Sequence, residues 1–181
     1  MTEGGGLCIL LAHQYPDKLH TVGQPAVDTD MRIIDEDGVE LPEGEVGEIV
    51  GRSDTIMSGY HNRPEATAEV IWTSPEGQRF VRTGDIGRFD EDGFLVLMDR
   101  KKDVIISGGF NIYPSDLEDV LRAQPGVTDA AVVGVPSAQW GETPVAFVVG
   151  DGLDASALLE QVNARVGKSQ RLADLQIVDA L

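Results

Sequence analysis

One stretch limits the architectures open to this chain: Asp99-Arg100-Lys101-Lys102-Asp103-Val104-Ile105-Ile106-Ser107-Gly108-Gly109-Phe110-Asn111-Ile112-Tyr113-Pro114-Ser115. Five charged residues run straight into an apolar triplet, a Gly-Gly pair and a proline-led helix start. Charged side chains stay in water unless paired, whereas Val104-Ile105-Ile106 reads as a short buried strand. The polypeptide therefore passes here from an exposed connection into a second body, and a boundary is expected near Asp99–Lys102.

The two sides of that boundary read differently. Upstream, short strand patterns alternate with acidic turns. Met31-Arg32-Ile33-Ile34 leads into Asp35-Glu36-Asp37-Gly38, Val46–Val50 follows Pro42-Glu43-Gly44, and Gly93–Met98 follows Asp90-Glu91-Asp92. Such spacing favours an antiparallel sheet or small barrel. One helix is expected from Pro64, with Ala66, Thr67, Val70 and Ile71 at helical spacing. Downstream, strands and helices alternate. Ser115-Asp116-Leu117-Glu118 fits a capping box ahead of an apolar face of Leu117, Val120 and Leu121, and Pro125-Gly126 ends that helix. Ala130–Val135 and Pro144–Val149 read as apolar strands. A helix with Leu158, Leu159, Val162 and Val166 on one face comes next, and Leu175–Val178 is a last strand. The fold class expected is α+β. A truncated antiparallel β-barrel-like subdomain (residues 1–99) is followed across a hinge by a small α/β layer domain (residues 100–181).

Charge narrows the partners. The net charge is −17, which argues against nucleic acid or an anionic membrane. Residues 1–99 hold 7 basic and 20 acidic groups and residues 100–181 hold 7 and 11, so Arg100-Lys101-Lys102 is a local positive spot suited to a phosphate ligand. The single cysteine, Cys8, excludes an intrachain disulfide and reads as a small core residue; a reducing, cytoplasmic setting is the default. Leu7–Ala12 is too short to span a bilayer. His13, His20 and His61 lack metal-ligand spacing.

Several short motifs carry chemistry, each with a plain alternative. Arg82-Thr83-Gly84-Asp85 puts a carboxylate at a strand end, where it can accept from two vicinal hydroxyls, as on a ribose; alone it is an ordinary turn. Arg100 lies after one strand pattern, and a return strand would bring it beside Asp85 to hold a sugar or phosphate. Its alternative is a surface pair with Asp99 or Asp103. Ser107-Gly108-Gly109 is a tight turn, or a place for a slender ligand against bare backbone. Trp140, in a polar loop, covers a core edge or offers a flat platform.

The order of these pieces resembles the adenylate-forming acyl-CoA synthetases. Met1-Thr2-Glu3 is similar to the end of their Gly-Met-Thr-Glu motif, and Gly59–Thr67 to Gly-Tyr-x-Asn-x-Pro-Glu-x-Thr. Arg82–Asp85 resembles their Thr-Gly-Asp motif and Asp99–Pro114 their hinge motif. Val132–Pro136 with Gly141-Glu142 matches the domain that follows. The resemblance implies a parent that adenylates a carboxylic acid with ATP and Mg2+ and transfers the acyl group to coenzyme A. It implies that Thr2 contacts the AMP phosphate, Glu3 helps hold Mg2+, and Asp85 binds the ribose hydroxyls, aided by Arg100. Lys102 falls at the hinge. Ser107, Gly108 and Gly109 would line the pantetheine tunnel, with Asn111 and Trp140 packing beside it.

The large N-terminal part of such an enzyme, with its phosphate loop, is expected upstream, and the catalytic lysine beyond Leu181. Lys168 lacks that motif and is not assigned the role. The segment alone is expected to be inactive, and a truncated interface would favour self-association. A non-catalytic interaction module of the same fold and an adenylation domain loading a carrier protein are the other two readings.

Overall fold

The computed structural model describes residues 2–181; Met1, where the first motif match begins, lies outside the described residues. The chain divides into two compact units, Met1–Lys101 and Lys102–Leu181.

The first unit is built on an open antiparallel sheet. A two-stranded ribbon, β1 (Cys8–Ile9) with β2 (Gln24–Pro25), precedes it. Its strands are β3 (Thr29–Ile34), β4 (Gly47–Ser53), β5 (Ile71–Thr73), β6 (Arg79–Phe89) and β7 (Leu95–Arg100), in the order β3-β4-β6-β5 with β7 also on β6. No closed barrel forms among the described residues. β4 runs along one edge of β6. The other edge is shared, with β5 on residues 79–81 and β7 on residues 85–89.

Successive strand residues point to opposite faces, and here both faces are apolar. Ile34, Val50, Trp72 and Phe80 form one cluster, while their neighbours Ile33 and Ile49 join Leu95 in another. Half-buried Cys8 packs on the second cluster, and burial pushes its thiol up to about 11, so it stays a protonated core group. The helix from Pro64 is α1 (Pro64–Val70). Ile71, expected on its apolar face, instead begins β5, because pairing with Val81 claims its backbone.

The second unit is a sheet covered by two helices. Its elements are β8 (Ile105–Ser107), β9 (Phe110–Ile112), α2 (Pro114–Arg122), β10 (Val127–Ser137), β11 (Gly141–Gly150), α3 (Ala155–Arg165) and β12 (Asp174–Ile177). β10 and β11 pair over ten residue pairs. β12 returns parallel to β11 after α3, the connection a parallel pair needs. Ala130, Val132, Ala146 and Val148 from the sheet share one core with Leu117 and Leu121 of α2 and Leu158 and Val162 of α3.

Asp154 caps α3 by accepting from the Ala157 N–H at 3.0 Å. Ser115, expected at the cap of α2, lies within that helix. Pro114 opens α2, so Tyr113 takes the cap position without a side-chain cap bond. Glu118 accepts from the Val132 N–H at 3.0 Å and pairs with Arg122. None of the helices among the described residues is long and apolar enough to cross a membrane.

Candidate functional site

β6 is interrupted where its motif lies. Glu48 faces Ile86 across β4–β6 and Val50 faces Arg82, so β4 spends one residue where β6 spends three: Thr83, Gly84 and Asp85. This is a bulge, the device that re-aims a side chain within a sheet. Thr83 secures it. Its Oγ1 donates to the Ile49 carbonyl at 2.9 Å and accepts the Asp85 N–H at 3.0 Å. Gly84 sits at φ +72°, a left-handed conformation that glycine adopts without a Cβ penalty. Arg82–Asp85 thus lies inside a long strand, not at a strand end as expected, because β7 picks up pairing immediately after the bulge.

Asp85 is the last rung of the β6–β7 ladder, directly opposite Arg100. The Arg100 Nη1 donates to Asp85 Oδ1 at 2.8 Å, and both side chains reach solvent, at 58% and 31% exposure. The return strand brings together a carboxylate and a guanidinium that are fifteen residues apart in the chain.

Beneath them is a buried carboxylate that sequence reasoning passed over. Glu48 is 5% exposed, and its Oε2 accepts from Arg82 Nη1 and from Lys101 Nζ, both at 2.8 Å. Its sequence signal was a lone acid inside the apolar strand pattern Val46–Val50. Glu48, Arg82, Asp85, Arg100 and Lys101 together carry a net charge of +1 within a chain of −17.

Two other motifs meet at the start of the chain. The Glu3 carbonyl accepts the Met57 N–H at 2.9 Å, tying the N-terminal turn to the loop before Tyr60. Tyr60 donates its hydroxyl to Glu3 Oε1 at 2.9 Å, and Thr2 donates to Oε2 at 3.1 Å. The Tyr60 hydrogen bond holds the Glu3 carboxyl below the usual range, and the same bond raises the phenol. No cluster of three His, Cys, Asp or Glu side chains forms among the described residues.

In the second unit, Ser107 and Phe110 pair across a two-residue turn of Gly108 (φ +59°) and Gly109 (φ +84°). Both positive φ values suit the tight hairpin turn, which explains the Gly-Gly pair. The Gly108 N–H donates to the Trp140 carbonyl at 2.8 Å, and the indole lies on Gly108, where an added Cβ would stand 2.9 Å from Cε3. Trp140 is 51% exposed beside Ile106 (53%) and Phe110 (61%) of the same hairpin. The indole thus packs on the hairpin turn and leaves about half of its surface open. Asn111 is exposed on β9, opposite Ile106. Lys102 is exposed in a short 3-10 turn, Lys101–Asp103, and is the first residue of the second unit.

Gly108→Ala and Gly109→Ala separate backbone strain from ring contact. Both incur the left-handed penalty of about 1 kcal/mol, but only at Gly108 does the new methyl meet Trp140. The expected outcome is a larger fall in melting temperature for Gly108→Ala, with a shifted Trp140 indole resonance. Equal effects from both would contradict the contact.

Comparison with known proteins identifies the class. Residues 1–61 match the AMP-binding enzyme family and residues 116–181 match the AMP-binding enzyme C-terminal domain. The chain belongs to this family of adenylate-forming enzymes. It is 44% identical over 153 residues to a 2-succinylbenzoate–CoA ligase of Bacillus cereus, matching 84% of this chain and 31% of that protein. A feruloyl-CoA synthase of Amycolatopsis is 38% identical over 185 residues, matching 100% of this chain and 37% of that one. Among solved structures, the o-succinylbenzoate CoA synthetase MenE of Bacillus subtilis, in complex with the acyl-adenylate intermediate OSB-AMP, superposes with a TM-score of 0.82 at 33% identity. That match covers 100% of this chain and 37% of MenE. The chain thus spans about a third of the length of the relatives it matches.

Proposed function

We propose that this chain supplies the ribose grip and the thiol-acceptor face of an ATP-dependent, AMP-forming acid–thiol ligase. The observation that carries the reading is the Asp85–Arg100 pair, presented by a bulge at the exposed end of a two-strand ladder. A carboxylate has about four lone-pair positions, so Asp85 can keep Arg100 and still accept from two vicinal hydroxyls. The net positive cluster behind it suits a nucleotide phosphate.

In this reading the first unit is the closing portion of the AMP-binding lobe, its open sheet a part of a larger barrel-like subdomain. The second is the C-terminal domain that follows, joined at Lys102. Thr2 contacts the AMP phosphate. Glu3, with one hydrogen bond on each carboxylate oxygen, retains lone pairs for a hard cation, and Mg2+ commonly takes one or two carboxylates together with substrate phosphates. The bound ion would neutralise developing charge on the phosphoryl oxygens.

The residues of the hairpin serve the second substrate. An added Cβ at Gly109 would meet nothing within 4 Å, which leaves bare backbone for a slender pantetheine arm. Ser107 and Gly108 flank that backbone, and Trp140 and Asn111 present an apolar and a polar surface beside it. The reaction is acid plus ATP giving acyl-adenylate and pyrophosphate, then displacement of AMP by the coenzyme A thiol.

A chimera tests this: the chain replaces the matching third of the Bacillus cereus 2-succinylbenzoate–CoA ligase, which keeps its remaining residues. The expected result is 2-succinylbenzoyl-CoA formation with stoichiometric AMP release. A folded chimera that releases no pyrophosphate from ATP and acid would refute the assignment.

A further inference from the structure

We propose that Glu48 is the positioning residue for Asp85, a buried carboxylate that fastens both ends of the bulge presenting it; the proposal deepens, and rests on, the reading of Asp85 as the ribose-binding group. Arg82 immediately precedes the bulge and Lys101 immediately follows Arg100, the partner of Asp85. Both donate to the same oxygen of Glu48 at 2.8 Å. The Glu48 backbone also pairs with Ile86, the residue after Asp85. One side chain on β4 therefore reaches the entry of the bulge and the end of β7, and its own strand position registers the exit.

A carboxylate at 5% exposure is costly to bury without partners, and pairs of this kind add little net stability over apolar packing of the same shape. Their effect is to select one arrangement. Here the alternatives are real, because Thr83, Gly84 and Asp85 have no rung with β4 to fix their register, and of the three only Asp85 is paired with β7. Thr83 and Gly84 shape the bulge from within. Glu48 holds it from outside, and its two cations bond to Glu48 while Arg100 bonds to Asp85.

The test uses the 181-residue chain and its Glu48→Gln variant, which preserves shape and removes the charge. Amide hydrogen exchange at Asp85, whose N–H donates to Thr83 Oγ1, is expected to quicken at least tenfold, while exchange in β10–β11 stays unchanged. Affinity for AMP relative to 2′,3′-dideoxy-AMP, measured by NMR titration, is expected to fall about fivefold. Lys101→Met, at an exposed and readily substituted site, removes one arm of the cluster and keeps the question answerable if Glu48→Gln does not fold; it is expected to give a smaller change of the same sign. Phe80→Leu, a core substitution in the same sheet, is the comparison for lost stability alone. If it reproduces both changes at equal loss of melting temperature, Glu48 is structural only and the proposal is overturned. If the wild-type chain does not favour AMP over the dideoxy analogue, the ribose reading fails. Exchange at Asp85 then decides the Glu48 proposal by itself, unchanged exchange in Glu48→Gln overturning it.

Discussion

Replacing Asp85 by alanine in the chimeric ligase is expected to lower kcat/KM for ATP about a hundredfold while leaving the fold intact. The size follows from what the carboxylate would do. Hydrogen bonds to a charged acceptor contribute ~1.5–3 kcal/mol each, and two of them reach a ribose. At ~1.4 kcal/mol per factor of ten, losing them gives a factor of order 100 or more. The stability effect should be small. The Asp85–Arg100 pair is solvent-exposed on the Arg100 side, and surface pairs contribute ~0–1 kcal/mol. Freed Arg100 is solvated by water, not stranded. Steady-state kinetics at varied ATP, together with a melting curve, separate the two effects. Unchanged ATP kinetics would remove Asp85 from the nucleotide site. A matched fall in activity and melting temperature would mean that the substitution had disrupted the bulge.

The second large effect lies in the core of the other unit. Leu121→Ala is expected to lower the melting temperature of residues 102–181 by about 15 °C or more. Leu121 is fully buried on α2, against the sheet residues Ala130 and Val132 and among the other members of one cluster. A Leu→Ala change at such a position costs ~2–5 kcal/mol. A unit of about 80 residues has only ~4–12 kcal/mol to lose. For domains of that size each kcal/mol moves the midpoint by ~4–8 °C. The measurement is a thermal series of amide spectra, in which resonances of β10, β11 and α3 should vanish early. A shift under 3 °C would mean that the cluster is not the core of that unit.

The elements that were legible from the sequence are those whose pattern reports a local requirement. Pro64 and Pro114 mark helix starts because proline has no N–H to lose at a first turn. The apolar runs around Val132 and Val148 announce strands, and Gly108-Gly109 announces a turn. The meeting of Asp85 with Arg100 could be anticipated because one return strand separates them. What stayed hidden depends on partners distant in sequence. The eleven-residue β6 was not visible, because Arg82-Thr83-Gly84-Asp85 reads as a break and the structure absorbs it as a bulge. Ile71 follows helical spacing but is taken by β5. Glu118 fits a capping box, which gives no sign of its bond to β10. Glu48 reads as an ordinary surface acid until Arg82 and Lys101, thirty-four and fifty-three residues away, converge on it.

Titrating the isotope-labelled 181-residue chain with AMP probes the ribose grip with the fewest intermediaries. Saturable shifts centred on Gly84, Asp85 and Arg100 are expected, much weakened when AMP is replaced by its 2′,3′-dideoxy analogue. Shifts that are absent there, or identical for the two nucleotides, would mean that Asp85 does not hold the ribose.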